Sequence, residues 1–388
     1  MPRIKCPKCN LMETILKSGF IRKKQRYYCK GCNYNFTVQH EGRKSKSVSN
    51  KSHQTTLTDI ARAMGVSTST VSRALHNHPD ISVKKTASIK SLAQKLDYQP
   101  NALAQSLASR TTHTIGVIIP DIERPFFASV VSGIQHKATE FGYKIIICQS
   151  NESHNTEVAN IQTLMSNMID GLLICHSKET NTFEHIKLHA RRGIPIVHFD
   201  RVCEDMDTSK ILVDDVNGGF CITEHLIKQG YQHIAILGGP AHLAITQKRA
   251  LGYKNALQQH GIALNEAHIA YCDFSKENTL LSVKGWLKLK NKPDAIYSIF
   301  HKGAIDTMMY LKENNIKIPR QMGVAAFGND PTAAIIEPGL TAFDQQPFKL
   351  GELAVLELLT QLIEGANYHV NTKVIKGELI VRGSTIKI

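Results

Sequence analysis

From about residue 114 onward, short apolar runs alternate with longer stretches of helical periodicity. IGVII (115–119), KIIIC (144–148), GLLIC (171–175), IPIVHF (194–199), ILVDD (211–215), HIAIL (233–237) and AIYSIF (295–300) are mostly continuous rather than alternating in polarity. Runs of this kind suit strands buried on both faces of a parallel sheet. Between them, stretches such as FFASVVSGIQHKATEFG and GFCITEHLIKQG carry a helical repeat and end in glycine, a helix stop. The pattern predicts a doubly wound α/β architecture. Some 275 residues are generous for one such sheet, so two similar lobes with a cleft between them are expected. Ligands of open α/β sheets sit at the carboxyl ends of the strands, which places a small-molecule site in that cleft. An enzyme and a binding protein would share this architecture.

The chain ahead of the α/β region is patterned differently. Residues 56–110 show short helical patterns, and 41–55 (EGRKSKSVSNKSHQT) read as a flexible polar linker. In LTDIARAMGVSTSTVSRAL (57–75), Thr58 is the expected N-cap of a helix carrying Ile60, Ala61 and Met64. Gly65 supplies a tight turn, Val66 packs against the helix pair, and Ser67 caps a second helix with Val71, Ala74 and Leu75 inward. Thr68, Ser69 and Arg73 then face outward, Arg73 being suited to a bidentate guanine contact. Ser67, Thr70 and Ser72 offer hydroxyls to phosphates. Such a second helix can enter a major groove, although any small helical hairpin with a glycine turn has the same spacing.

Charge sharpens the picture. The net charge of +14 is concentrated at one end: residues 1–56 carry 13 Lys+Arg against 2 Asp+Glu, and residues 57–112 carry 7 against 3. The remaining residues carry 27 against 28. A basic head on a neutral body implies a polyanionic partner at that end, nucleic acid first.

The stretch TLTDIARAMGVSTSTVSRALHNHPDISVKKTASIKSLAQKLDYQPNALAQSLASR (56–110) closely resembles the head of the lactose-repressor (LacI/GalR) family of transcription regulators. The resemblance implies a third helix at about 83–96, with Leu92 and Leu96 completing a small core. It also implies a hinge helix, ALAQSLA (102–108), that pairs with its copy in a homodimer and wedges Leu107 into the minor groove. The implied DNA-facing set is Thr58, Ser67, Thr68, Ser69, Thr70, Ser72, Arg73, Ser82, Tyr98, Asn101 and Leu107. The resemblance continues to about 385, roughly 85% of the chain, and implies a fold like that of periplasmic sugar-binding proteins. Its two lobes would be 114–200 plus 344–370, and the remainder. Strand-end candidates for the effector are Asp121, Arg124, Phe126, Arg201, Arg249 and Asp344.

There are departures from the family pattern. Arg124 stands where an Asn is common, and after AIYSIF an expected Asp is replaced by Ala304 within His301-Lys302-Gly303-Ala304. A more cationic pocket would follow, and with it an effector bearing an acidic group, such as a sugar acid or sugar phosphate.

Residues 1–40 add a module that typical family members lack. Cys6-x2-Cys9 and Cys29-x2-Cys32 place four thiolates to meet around one structural Zn²⁺, with Pro7 and Gly31 easing the turns. Forty residues have too small a core to fold without such help. The stretch also resembles the zinc ribbons of insertion-sequence transposases, and Arg22, Lys23, Lys24 and Arg26 with Tyr27 and Tyr28 could lie along phosphates. Cys148, Cys175, Cys203, Cys221 and Cys272 are scattered and expected to be buried thiols.

The expected organisation is therefore a ribbon (1–40), a linker (41–55), a helix-turn-helix head (56–100), a hinge helix (101–112) and an effector domain (113–388). With neither a signal-peptide pattern nor an 18-residue apolar run, the expected location is the cytoplasm, away from membranes. The leading function is a DNA-binding regulator, with double-stranded operator DNA and a small-molecule effector as partners. The alternatives are an enzyme acting on a sugar or nucleic acid and a sugar sensor that does not bind DNA. The chain contains neither a G-x-x-x-x-G-K-[ST] loop nor a G-x-S-x-G elbow, which weighs against the enzyme. The C-terminus lacks a leucine heptad tail, so a tetramer built that way is not expected.

Overall fold

The computed structural model describes residues 4–21, 24–37, 55–99 and 111–387. Asn101, Leu107 and the rest of the expected hinge up to residue 110, the linker before Thr55, and Arg22 and Lys23 lie outside them. The chain divides into two units, 1–101 and 102–388.

The first unit begins with an antiparallel meander of β1 (Ile15–Ile21), β2 (Lys24–Cys29) and β3 (Tyr34–Thr37). Three helices follow: α1 (Leu57–Met64), α2 (Thr68–Leu75) and α3 (Val83–Lys95). Thr56, not Thr58, caps α1. Its hydroxyl accepts from the Asp59 amide, and Asp59 accepts from the Thr56 amide at 2.9 Å, a reciprocal capping box. Thr58 already lies in the first helical turn. Gly65 adopts the left-handed φ of 63° that the turn requires, and the Ser67 hydroxyl accepts from the Thr70 amide to start α2. Ile60, Ala61, Val71, Ala74, Ile89 and Ala93 form the core. Leu96, expected in it, is exposed, because α3 has ended at Lys95 and Leu96 is its C-cap.

The second unit holds two six-stranded sheets. Its strands are β4 (Thr114–Ile119), β5 (Lys144–Gln149), β6 (Gly171–Ile174), β7 (Ile196–Phe199), β8 (Ser209–Val213), β9 (Ile234–Gly238), β10 (Ile269–Tyr271), β11 (Ala295–Ser298), β12 (Gly323–Phe327), β13 (Thr341–Asp344), β14 (Thr372–Ile375) and β15 (Glu378–Ile380). One lobe has the all-parallel order β14-β8-β7-β6-β4-β5. The other has β10-β9-β11-β12-β13-β15, parallel except for β15. The central strands are buried on both faces, which is why their sequences read as continuous apolar runs. The helices are α4 (Pro125–Glu140), α5 (His154–Ser166), α6 (Glu184–Arg191), α7 (Asp215–Lys228), α8 (Ala244–Gln259), α9 (Lys276–Leu287), α10 (His301–Glu313), α11 (Thr332–Ile335) and α12 (Pro347–Glu364).

The lobe boundaries differ from expectation. β8 and β14 both belong to the first lobe, so the chain crosses near Asp214, Gln346 and Gly377. These crossings bond to one another: the Asp214 amide donates to Ile375 O at 3.1 Å, and Gln346 Nε2 donates to Lys376 O at 3.0 Å.

Each lobe is closed by one helix pair crossing on glycines. In the first lobe α4 meets α12, where a Cβ on Gly133 would lie 2.0 Å from Phe348 O and one on Gly351 2.1 Å from Val130 O. In the second α7 meets α8, where a Cβ on Gly219 would lie 2.3 Å from Arg249 O and one on Gly252 2.1 Å from Val216 O. Backbone fills the space that a side chain would need, so these positions cannot relax by rotamer change.

Gly351→Ala and Gly252→Ala should each lower the stability of the second unit by about 1–3 kcal/mol or more, measured by urea unfolding. Gly285→Ala, at an exposed position of α9 with nothing within 4 Å of the new methyl, should instead be neutral or raise stability by up to about 1 kcal/mol.

Candidate functional site

The carboxyl ends of both sheets face a cavity of about 330 Å³. From the first lobe, Arg124 and Phe126 reach it at the start of α4, and Asp200 and Arg201 follow β7. From the second lobe come Arg249 on α8, Phe274 after β10, Phe300, His301 and Lys302 after β11, and Asp330 after β12. The strand-end rule thus locates the site in both lobes.

Two guanidiniums are buried at its floor. Arg201 donates to both oxygens of Glu152, at 2.6 and 2.9 Å. Burial alone would raise the Glu152 carboxyl, but the charge and hydrogen bonds of Arg201 outweigh it and hold the group below the usual carboxylate range. Arg249 Nε donates to Asp215 at 2.7 Å, its Nη1 donates to Ile299 O at 2.8 Å, and its guanidinium lies 3.7 Å from the Phe327 ring centroid. Burial pushes the Asp215 carboxyl up, and Arg249 opposes the shift. Arg201 and Arg124 both stand 5.6 Å from the Phe274 ring, which packs edge-on against Phe300. Arg201 Nε is buried with no hydrogen-bond partner among the described residues.

Backbone strain gathers here. Glu152 (φ 60°), Asp200 (φ 59°) and Phe274 (φ 68°) all adopt left-handed conformations that non-glycine residues avoid.

Four of the six effector candidates, Arg124, Phe126, Arg201 and Arg249, line the cavity. Asp121 and Asp344 are not among its lining residues. Asp121 pairs with Arg124 at 3.3 Å, while Asp344 accepts from the Gln346 amide and from Asn329 at a lobe crossing. Ala304 is fully buried in the core, and the cavity-facing residues after β11 are Phe300, His301, Lys302 and Ile305. The lining carries the cations Arg124, Arg201, Arg249 and Lys302 together with the carboxylates of Glu123, Asp200 and Asp330. Glu152, Asp200, Phe274, Phe300 and Asp330 were missed. Each follows closely on a strand end; of these strands β10 and β12, ahead of Phe274 and Asp330, are too short or too rich in small residues to stand out as apolar runs.

In the head, Thr68, Ser69 and Arg73 are exposed along α2, as are Ser67 and Thr58, while Thr70 and Ser72 are half-buried. The Ser67 hydroxyl lies 2.8 Å from those of Ser69 and Thr70. Among the described residues, Arg73 pairs with the exposed Asp80 at 3.9 Å. Ser82 is the exposed N-cap position of α3, and Tyr98 packs against the head core.

The Sγ atoms of Cys6, Cys9, Cys29 and Cys32 all lie within 4.8 Å of one another, with Cys6–Cys32 and Cys9–Cys29 at 3.5 Å. A tetrahedral zinc thiolate site has sulfurs about 3.8 Å apart, so the four thiols can take one metal ion. The left-handed residues of the two knuckles are Asn10 and Asn33 rather than Gly31. A hydrogen bond from Thr14 helps draw the Cys29 thiol down to about 6, and desolvation with the crowding of the other thiols pushes Cys32 up to about 12. Of the scattered cysteines, Cys175, Cys203 and Cys272 are buried, and Cys148 and Cys221 half-buried.

Residues 112–380 match the model of periplasmic binding proteins and the sugar-binding domain of the LacI family, and 56–101 that of bacterial regulatory proteins of the lacI family. The chain belongs to the LacI family. It is 30% identical to a ribose operon repressor of Haemophilus influenzae over 330 residues, 85% of this chain and 98% of that protein. It is 28% identical to the repressor CytR of Escherichia coli strain K12, over 85% of this chain and 96% of that one. The lac repressor dimer bound to operator and the anti-inducer ONPF superposes with a TM-score of 0.76 at 22% identity, covering 86% of this chain and 99% of that one. A CelR–cellobiose complex superposes at 0.65 with 22% identity, over 85% and 100%. This LacI-family chain is thus a DNA-binding transcription regulator with a small-molecule-binding domain; its relatives are repressors rather than enzymes. Among the described residues, no helix is long and apolar enough to cross a membrane.

Glu152→Gln should cost about 3–5 kcal/mol at neutral pH by leaving a buried guanidinium short of its counter-charge. The folded carboxyl titrates below its unfolded value of about 4.3, so its contribution is complete above that pH and is lost as pH falls through the folded value. Urea unfolding from neutral to strongly acidic pH should therefore show the gap between parent and variant closing as the pH drops.

Proposed function

We propose that the chain is a homodimeric repressor whose operator affinity is set by a polyhydroxylated effector, of the sugar class, bound between the lobes of the second unit. The observation that carries this is the cavity itself. It offers the rings of Phe126, Phe274 and Phe300 to a sugar face, and the side chains of Arg201, Arg249, Asp200, Asp330 and Gln345, whose polar groups suit hydroxyls. Its cations are matched: Arg201 by Glu152, Arg249 by Asp215, Lys302 by Asp306 and Arg124 by Asp121. That balance favours a neutral sugar over the acidic ligand that the sequence suggested. A LacI-family regulator of Enterococcus faecium with bound ribose superposes at a TM-score of 0.63 with 23% identity, over 71% of this chain and 99% of that one. Ribose is accordingly the first probe.

In the same reading, α2 lies in the major groove with Arg73 on a guanine, and Ser67, Thr68, Ser69, Thr70 and Ser72 set its register. Thr58, Ser82, Tyr98 and Asn101 flank it, and Leu107 wedges the minor groove from a paired hinge helix. Effector-dependent movement of the lobes then couples to hinge pairing, with reciprocal effects on both affinities. One zinc ion held by Cys6, Cys9, Cys29 and Cys32 orders the ribbon, a transposase-type module whose basic face adds phosphate contacts. The protein works in the cytoplasm.

Selection from a random DNA pool with the full-length protein should return a near-palindrome, and Arg73→Ala should weaken binding to it by about 1–3 kcal/mol while relaxing one position of each half-site. Enrichment without dyad symmetry would refute the dimeric reading. In calorimetry, ribose should bind the parent, and Phe274→Ala should weaken it at least about ten-fold by removing a ring from the cavity. Binding of ribose 5-phosphate with none of ribose would restore the acidic-ligand reading.

A further inference from the structure

Away from the cleft, three side chains of the first lobe converge on one point. His154 and Glu157, three residues apart on the first turn of α5, share a face, and His185 enters from the start of α6. One donor atom from each lies within 4.8 Å of the other two. His185 Nε2 is 2.8 Å from Glu157 Oε1, and the His154 and His185 rings meet edge-to-face at 4.8 Å. None of the three lines the effector cavity.

The carboxylate poses the physical problem. Glu157 is fully buried. It accepts from the Ser177 amide at 2.5 Å and from the Thr180 hydroxyl at 3.1 Å, and among the described residues its ion-pair partner is His185, not a lysine or arginine. A buried carboxylate requires compensating positive charge, and the neighbours that face it are imidazoles. Two imidazoles and one carboxylate are a donor set that zinc uses. Ser177 and Thr180 already orient the carboxylate in the manner of outer partners at a metal site.

We propose that His154, Glu157 and His185 bind a divalent transition-metal ion of the zinc class, separate from the cysteine cluster. The position gives the ion a consequence. The Ser177 amide is held by Glu157, and the next amide, Lys178, by Glu152, the partner of Arg201. Lys178 O accepts from His242 Nε2 at 2.8 Å, and Lys178 Nζ donates to Asp273 O at 3.0 Å, both on the other lobe. An ion here pins the root of a loop that bridges the two lobes beside the cleft.

The test uses full-length protein stripped with chelator, reloaded with zinc chloride and assayed for bound metal per chain. The Cys29→Ser, Cys32→Ser background isolates this site from the cysteines. About one zinc per chain should remain in that background, and His154→Ala with His185→Gln should remove it. The glutamine amide introduced by the second substitution keeps a donor toward Glu157, and unchanged unfolding in chelator confirms that the variant folds. Cobalt in the same background should give ligand-field bands without sulfur charge transfer, lost in the histidine variant. Zinc should raise the unfolding temperature of the second unit, and the histidine variant should abolish that rise. Should the cysteine substitutions unfold the chain, the histidine pair in the otherwise unaltered protein should lower bound zinc by one equivalent. Absence of zinc from the folded background lacking the two cysteines overturns the proposal, as does zinc content that the histidine substitutions leave unchanged.

Discussion

The second unit is arranged around two buried guanidiniums, Arg201 in one lobe and Arg249 in the other. A charge taken out of water at these depths is tolerable only when an opposite charge and fitted hydrogen bonds replace its hydration. Each lobe supplies its own solution. Glu152 grips Arg201 with both oxygens, while Asp215, the Ile299 carbonyl and the Phe327 ring surround Arg249. The turn bearing Glu152 adopts a left-handed conformation that only the finished structure can hold in place. The outcome is a cleft whose polar groups are oriented before a ligand arrives, the condition under which binding costs least ordering.

A binding site split between two lobes can regulate only if the lobes are rigid and the joints between them are few. Rigidity comes from the paired glycine crossings, Gly133 with Gly351 and Gly219 with Gly252, where backbone packs on backbone. The joints are three short crossings cross-linked by hydrogen bonds, with Asp344 and Gln346 among their members. Packed elements of this kind move as bodies rather than deforming continuously, so differential contacts to a ligand can be converted into a change of lobe arrangement.

The first unit solves the opposite problem, too little core. The helical head buries six small or medium apolar side chains and relies on local chemistry at its helix starts: the Thr56–Asp59 box, the left-handed Gly65 and the Ser67 cap. The three-stranded meander buries even less, and the four thiols beside it lie within 4.8 Å of one another.

The fold class, the head and the cysteine cluster were legible in the chain because each rests on local or periodic information. Runs buried on both faces look continuous, a glycine turn flanked by caps has a fixed spacing, and paired C-x2-C knuckles carry their chemistry within a few residues. Arg201 and Arg249 were also legible as residues of the cleft. What the sequence could not decide was partnership. Glu152 lies 49 residues from Arg201, Asp215 lies 34 from Arg249, and Glu157 lies 28 from His185. Nothing in the local pattern ties the members of such pairs together. Thr58 was expected as the cap, but the extended backbone at Thr56 gives that place to Thr56. Ala304, expected at the ligand position, faces the core, while His301, one helical turn before it, faces the cleft. Composition and period determined the sheets, the head and the cysteine cluster. The tertiary structure alone decided which charges meet, because the desolvation that makes those pairs obligatory exists only once each lobe has folded around them.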